Sequence, residues 1–85
     1  MIHYKYVLSI TELSGYGEHS KVLREFYSRD ALSKYSLSLI NQYVKDGYDS
    51  RETDKDTVLL SKMGSQFRLT VDTVEFDDEG APWNV

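Results

Sequence analysis

Apolar and polar residues alternate at the start of the chain. Ile2, Tyr4, Tyr6, Leu8 and Ile10 interleave with His3, Lys5, Ser9 and Thr11. That period of two predicts a strand over 2–13 with one covered face and one wet face. Ser14-Gly15-Tyr16-Gly17-Glu18-His19-Ser20 breaks the alternation and reads as a loop. Residues 21–27 read as a second strand, paired with the first as a hairpin, although a mixed pattern hides the inward face. The period then changes. Leu32, Tyr35, Leu39, Ile40, Tyr43 and Val44 recur at helical spacing. Ser28 stands at an N-cap position, Asp30 and Lys45 suit the two ends of the helix dipole, and Gly47 suits the C′ position. The helix is expected over 29–46, a length of about 27 Å.

Residues 48–56 are polar without a period and read as a loop. Thr57 to Met63 is the expected third strand and Phe67 to Phe76 the fourth, with Gly64-Ser65 as a two-residue hairpin turn of type II′. In the fourth, Phe67, Leu69 and Val71 share a face, but the apolar phase shifts at Val74 and Phe76, which predicts a bulge or bend near Asp72-Thr73. Residues 77–85 form an acidic and then apolar tail holding the only Pro and the only Trp. The predicted fold class is α+β: a single small domain over 1–85, ordered ββαββ, with a four-stranded antiparallel sheet and one helix packed across one face.

A chain of 85 residues supports one thin core, burying about 60–65% of the surface its unfolded form exposes. Aromatic content of 13% argues against wholesale disorder. The absence of cysteine removes disulfides, thiol nucleophiles and Cys-based zinc sites. No apolar run approaches a membrane span, and the first residues lack a signal-peptide core. These features together fit a cytoplasmic protein without membrane association.

Charge changes the picture. Residues 1–45 carry six Lys/Arg against four Asp/Glu, a net of +2, while residues 46–85 carry four against ten, a net of −6. The acids form two clusters, Asp46, Asp49, Glu52, Asp54 and Asp56, then Asp72, Glu75, Asp77, Asp78 and Glu79. A local field of one sign steers a basic partner and repels nucleic acid. Calcium needs six to eight oxygens in an ordered loop, and Arg51 and Lys55 interrupt the first cluster, which reads more simply as solvated. Carboxylate catalysis needs a cleft that the spacing does not imply. His3 and His19 meet only in one hairpin register. Gly15-Tyr16-Gly17 lacks the third Gly and the following helix of a dinucleotide loop. A basic patch of His3, Lys5, Lys21 and Arg24 is the remaining route to nucleic acid, against a net charge of −4. No cofactor or metal set is expected.

In size, acidity and lack of catalytic motifs the chain resembles the small inhibitors and adaptors of bacteriophages and mobile elements, an analogy of type that rests on no motif. The resulting expectation is a non-enzymatic protein-binding module. It would set Asp49, Glu52, Asp54, Asp56, Asp72, Glu75, Asp77, Asp78 and Glu79 against a basic, nucleic-acid-binding surface. Tyr16, Tyr48 and Trp83 are candidate apolar contacts; Trp83 has a second reading as a cap on the core. The alternative is a structural protein that pairs with its own copy through a sheet edge.

Overall fold

The computed structural model describes residues 2–14 and 16–77. Among the described residues, five strands and one helix follow in the order β1 (Ile2–Ser14), β2 (Gly17–Phe26), α1 (Arg29–Lys45), β3 (Asp49–Asp54), β4 (Thr57–Lys62) and β5 (Ser65–Asp77). They form one antiparallel sheet of order β2-β1-β5-β4-β3, with the long β1–β5 pair at its centre. The α+β class and the single helix match the sequence reading. The strand count does not: the polar segment read as a loop is β3, paired with β4 from Asp49↔Ser61 to Asp54↔Thr57. All six β3 residues are exposed. As an edge strand it needs only one partner for its backbone, so its side chains carry no apolar period.

The helix forms as its cap residues dictate. Ser28 is extended (φ −136°, ψ 133°), and its Oγ accepts from the Ala31 N–H at 3.4 Å. At the other end Gly47 takes φ +98°. Its N–H donates to Val44 O at 3.0 Å, and the Tyr48 N–H donates to Tyr43 O at 3.0 Å. These are the paired hydrogen bonds of a Schellman end, and Tyr48 packs edge-on against Tyr43 at 5.1 Å.

The core lies between α1 and one sheet face. Leu8, Phe26 and Leu32 form one buried group, and Ile10, Leu60 and Leu69 form the other. Leu39 and Leu23 pack against both. Val44, the last member of the expected stripe, is exposed. The helix splits into two rows. Tyr35, Leu39 and Tyr43 line a groove shared with β1 and β2. Leu32, Ser36 and Ile40 line a cavity shared with β4 and β5.

Two further expectations are corrected. The β4–β5 turn residues are Met63-Gly64, since Lys62 pairs with Ser65. Gly64 sits second with φ +79°, the φ pattern of a type II turn. No bulge interrupts β5 near Asp72-Thr73, because its register with β1 is continuous from Gln66 to Asp77. Register shifts occur instead between Leu8 and Ser9 in the β1–β2 pair and between Glu52 and Asp54 in the β3–β4 pair. The apolar phase changes at Val74 because β1 and β5 run past the rest of the sheet. The pairing of β4 with β5 ends at Thr57↔Thr70, and that of β2 with β1 ends at Tyr6↔Phe26. Beyond those rows a two-stranded ribbon projects, and inward packing no longer sets which residues are apolar. Ile2, Tyr4 and Val74 are exposed there.

Candidate binding surface

Alternation along the central strands divides the side chains cleanly. Tyr6, Leu8 and Ile10 of β1 turn toward the helix, so His3, Lys5, Val7, Ser9, Thr11 and Leu13 turn to the other face. The register extends that uncovered face across the sheet. One row runs Arg51, Leu59, Arg68, Thr11 and Ser20; the next runs Asp54, Thr57, Thr70, Ser9 and Val22. The middle is rich in hydroxyls. Thr11 is only 5% exposed although it lies on this side, and its Oγ1 shares a 2.7 Å hydrogen bond with Ser20 Oγ. Arg68, opposite Thr11, reaches across β1 to Glu18 at 3.4 Å. Lys5 pairs with Glu25 at 3.2 Å.

The acidic residues divide between the two faces. Asp49, Asp54 and Asp72 fall on the uncovered face with Glu18 and Glu25, while Glu52 and Glu75 fall on the helix side. Asp72 stands two residues from the Thr70 row, so strand spacing and rise put it about 12 Å from Asp54. Asp54 has a local task as well: its Oδ1 accepts the Asp56 N–H at 2.8 Å and shapes the β3–β4 turn. Asp56 lines the cavity beside Val71. The side chain of Asp77, with Asp78, Glu79 and Trp83, lies outside the described residues.

The aromatic candidates separate in the same way. Tyr16 is 98% exposed in the β1–β2 turn. Tyr48 is half-buried within the fold: its hydroxyl bonds Ser65 Oγ at 2.8 Å, and Lys62 Nζ lies 5.3 Å from its ring centre. Met63, which the sequence reading passed over, is fully exposed at 100% in the β4–β5 turn. Leu13↔Gln66 pairing sets the two turns side by side, and Tyr16, Gly64 and Ser65 border one groove. Met63 was hidden because a lone apolar residue before a Gly carries no periodic signal.

His3 stacks on Phe76 at 5.4 Å at the ribbon end, whereas His19 sits opposite Glu12 near the other end. The two histidines do not meet. The expected basic patch also splits, with His3 and Lys5 on the uncovered face and Arg24 over the Phe26 and Tyr35 rings on the helix side, 5.5 Å from each. Among the described residues no three His, Asp or Glu side chains are grouped to hold a metal ion. Burial raises the Tyr43 hydroxyl above its usual proton affinity, with Tyr48 and Asp46 adding to the effect. No helix among the described residues is long and apolar enough to cross a membrane. Comparison with protein-family models, curated proteins and solved structures finds no match for this chain.

Proposed function

We propose that the chain is a non-enzymatic protein-binding module that sets its uncovered sheet face against a basic partner. The observation that carries this reading is the register, which puts Asp49, Asp54 and Asp72 on one face with Glu18 and Glu25. Lys5 and Arg68 already pair with Glu25 and Glu18, so Asp49, Asp54 and Asp72, offset in part by Arg51 on the same face, supply the outward field. Tyr16 and Met63 add an apolar contact at one end. In its sharpest form the partner is a nucleic-acid-binding protein, whose Lys and Arg meet carboxylates in place of phosphates, and the module acts as its inhibitor.

The test compares the two faces. A partner captured from cell extract should be lost when Asp49 and Asp72 are both changed to Lys, and retained when Glu52 and Glu75 are changed in the same way. Raising salt should weaken capture steeply, since the Debye length falls from about 10 Å at 0.1 M to about 3 Å at 1 M. Equal effects of the two double variants count against this face. The second reading, self-pairing through a sheet edge, is favoured by the outer side of β5 beyond Thr70, where no described strand pairs with it.

A further inference from the structure

The helix row that faces β4 and β5 has a small polar residue where the packing calls for a large apolar one. Leu32 and Ile40 flank Ser36 at four-residue intervals, and the three roof a cavity of ≈ 180 Å³. Leu8, Val58, Leu69 and Val71, on the helix side of the sheet, form its floor. Such a space is ample for an aromatic ring, since an apolar cavity of about 150 Å³ takes benzene. Ser36 Oγ is out of solvent and has no hydrogen-bond partner. It does not bond back to the helix carbonyl of Leu32, the usual recourse of a helical serine. A buried hydroxyl left in that state carries a cost, and a polar atom on an occupant removes it.

The mouth is built differently. Arg29, Lys55 and Asp56 border the same cavity, so its rim carries two positive charges and one negative. Neither cation is in an ion pair among the described residues. The Arg29 guanidinium lies over the Tyr6 ring at 5.3 Å, a contact that holds it near the helix start. The strand side of the rim is held by backbone bonds. Asp56 O accepts the Val71 N–H at 3.0 Å, and the Asp56 N–H donates to Asp54 Oδ1 at 2.8 Å. Seven steps along the helix separate Arg29 from Ser36, about 10 Å of axis. The cavity therefore suits a molecule with a flat apolar middle, a hydrogen-bonding group at one end and a negative charge at the other.

We infer that the cavity between α1 and the β4–β5 side of the sheet is a binding site for a small aromatic monocarboxylate with a ring hydroxyl. The ring lies between the helix and the sheet, its hydroxyl meets Ser36 Oγ, and its carboxylate meets Arg29 and Lys55. The excess of positive charge at the rim favours the acid over the matching amine. The site lies on the helix side of the sheet, so it is separate from the uncovered face that carries Asp49, Asp54 and Asp72.

Titration calorimetry of the full chain tests this, with para-hydroxyphenylacetate and its one-carbon-longer homologue as probes. At least one should bind saturably. Tyramine, with the same ring and the opposite charge, should bind about tenfold more weakly, and Arg29→Gln with Lys55→Gln should weaken the acid by about the same factor. Ser36→Ala should weaken the hydroxylated acid several-fold and leave phenylacetate, which lacks the ring hydroxyl, unchanged. A merely structural effect of that change would weaken both alike. Ser36→Leu fills the cavity and should abolish binding; should it fail to fold, the alanine and rim variants decide. Saturable binding by neither acid overturns the inference, as does tyramine binding as tightly as the acid. So does equal weakening of both acids by Ser36→Ala, or undiminished binding to a folded Ser36→Leu chain.

Discussion

At the residue scale, stability rests on very few side chains. Leu60 is completely shielded, at 0% exposure, and touches the group formed with Ile10 and Leu69. Leu60→Ala should cost about 2–5 kcal/mol, a large share of the roughly 4–13 kcal/mol that per-residue scaling allows a chain of this length. Urea unfolding should show a lower midpoint at unchanged slope; an unchanged midpoint would contradict this placement. Tyr43 makes a pH-dependent contribution. Its raised proton affinity in the fold, caused first by burial and then by Tyr48 and Asp46, means that the unfolded chain releases this proton first. The contribution is therefore complete below the ordinary tyrosine value of 10.0 and is lost as pH rises through the folded value. Tyr43→Phe keeps the ring and removes the proton, so unfolding curves taken at neutral pH and above 10.0 should differ less for the variant than for the unmodified chain. An identical alkaline loss in both would assign the effect to other tyrosines.

At the element scale, Gly47 decides where the helix stops. A Cβ there would meet only Lys62 Cε at 3.8 Å, so Gly47→Ala tests the backbone and not a clash. The left-handed conformation should cost about 1–2 kcal/mol, read as a lower melting temperature; a gain would argue against the Schellman end. The helix and both its ends were legible in the sequence, because Ser28 marks the start, the apolar rows the body and Gly47 the stop. Strand β3 was not, because Asp49–Asp54 has no buried side chain and owes its strand state to pairing with β4. Likewise the polar run Gly17–Ser20 belongs to β2 through its partners Thr11 to Ser14. In β5 the shift to Val74 and Phe76 looked like a bulge, but it marks where the strand leaves the helix-covered sheet. The candidate surface was legible only as composition. Which of Asp49, Glu52, Asp72 and Glu75 share a face depends on register across three strands, and no single strand carries that information.

At the scale of the whole molecule, shape and charge act together. The radius of gyration is 15.0 Å with extents of 48 × 29 × 19 Å, against about 12 Å for a compact chain of this length. So long a sheet leaves backbone edges uncovered, and edges recruit other chains unless something opposes them. Here the outer strand β3 carries Asp49, Glu52 and Asp54, and the overhanging part of β5 carries Asp72 and Glu75. With a net charge of −4 and a pI near 5.0, two copies repel along those edges at neutral pH. The chain should therefore sediment as a monomer at neutral pH and low salt. It should associate as pH falls toward 5.0, where the net charge vanishes, and less steeply as salt shortens the screening length. Asp72→Asn with Glu75→Gln should move the onset of association to higher pH, whereas Lys21→Gln, which removes a positive charge, should move it lower. A dimer already present at low salt, and insensitive to both changes, would show that edge pairing outweighs the charge and would support the self-associating reading over the binding-module one.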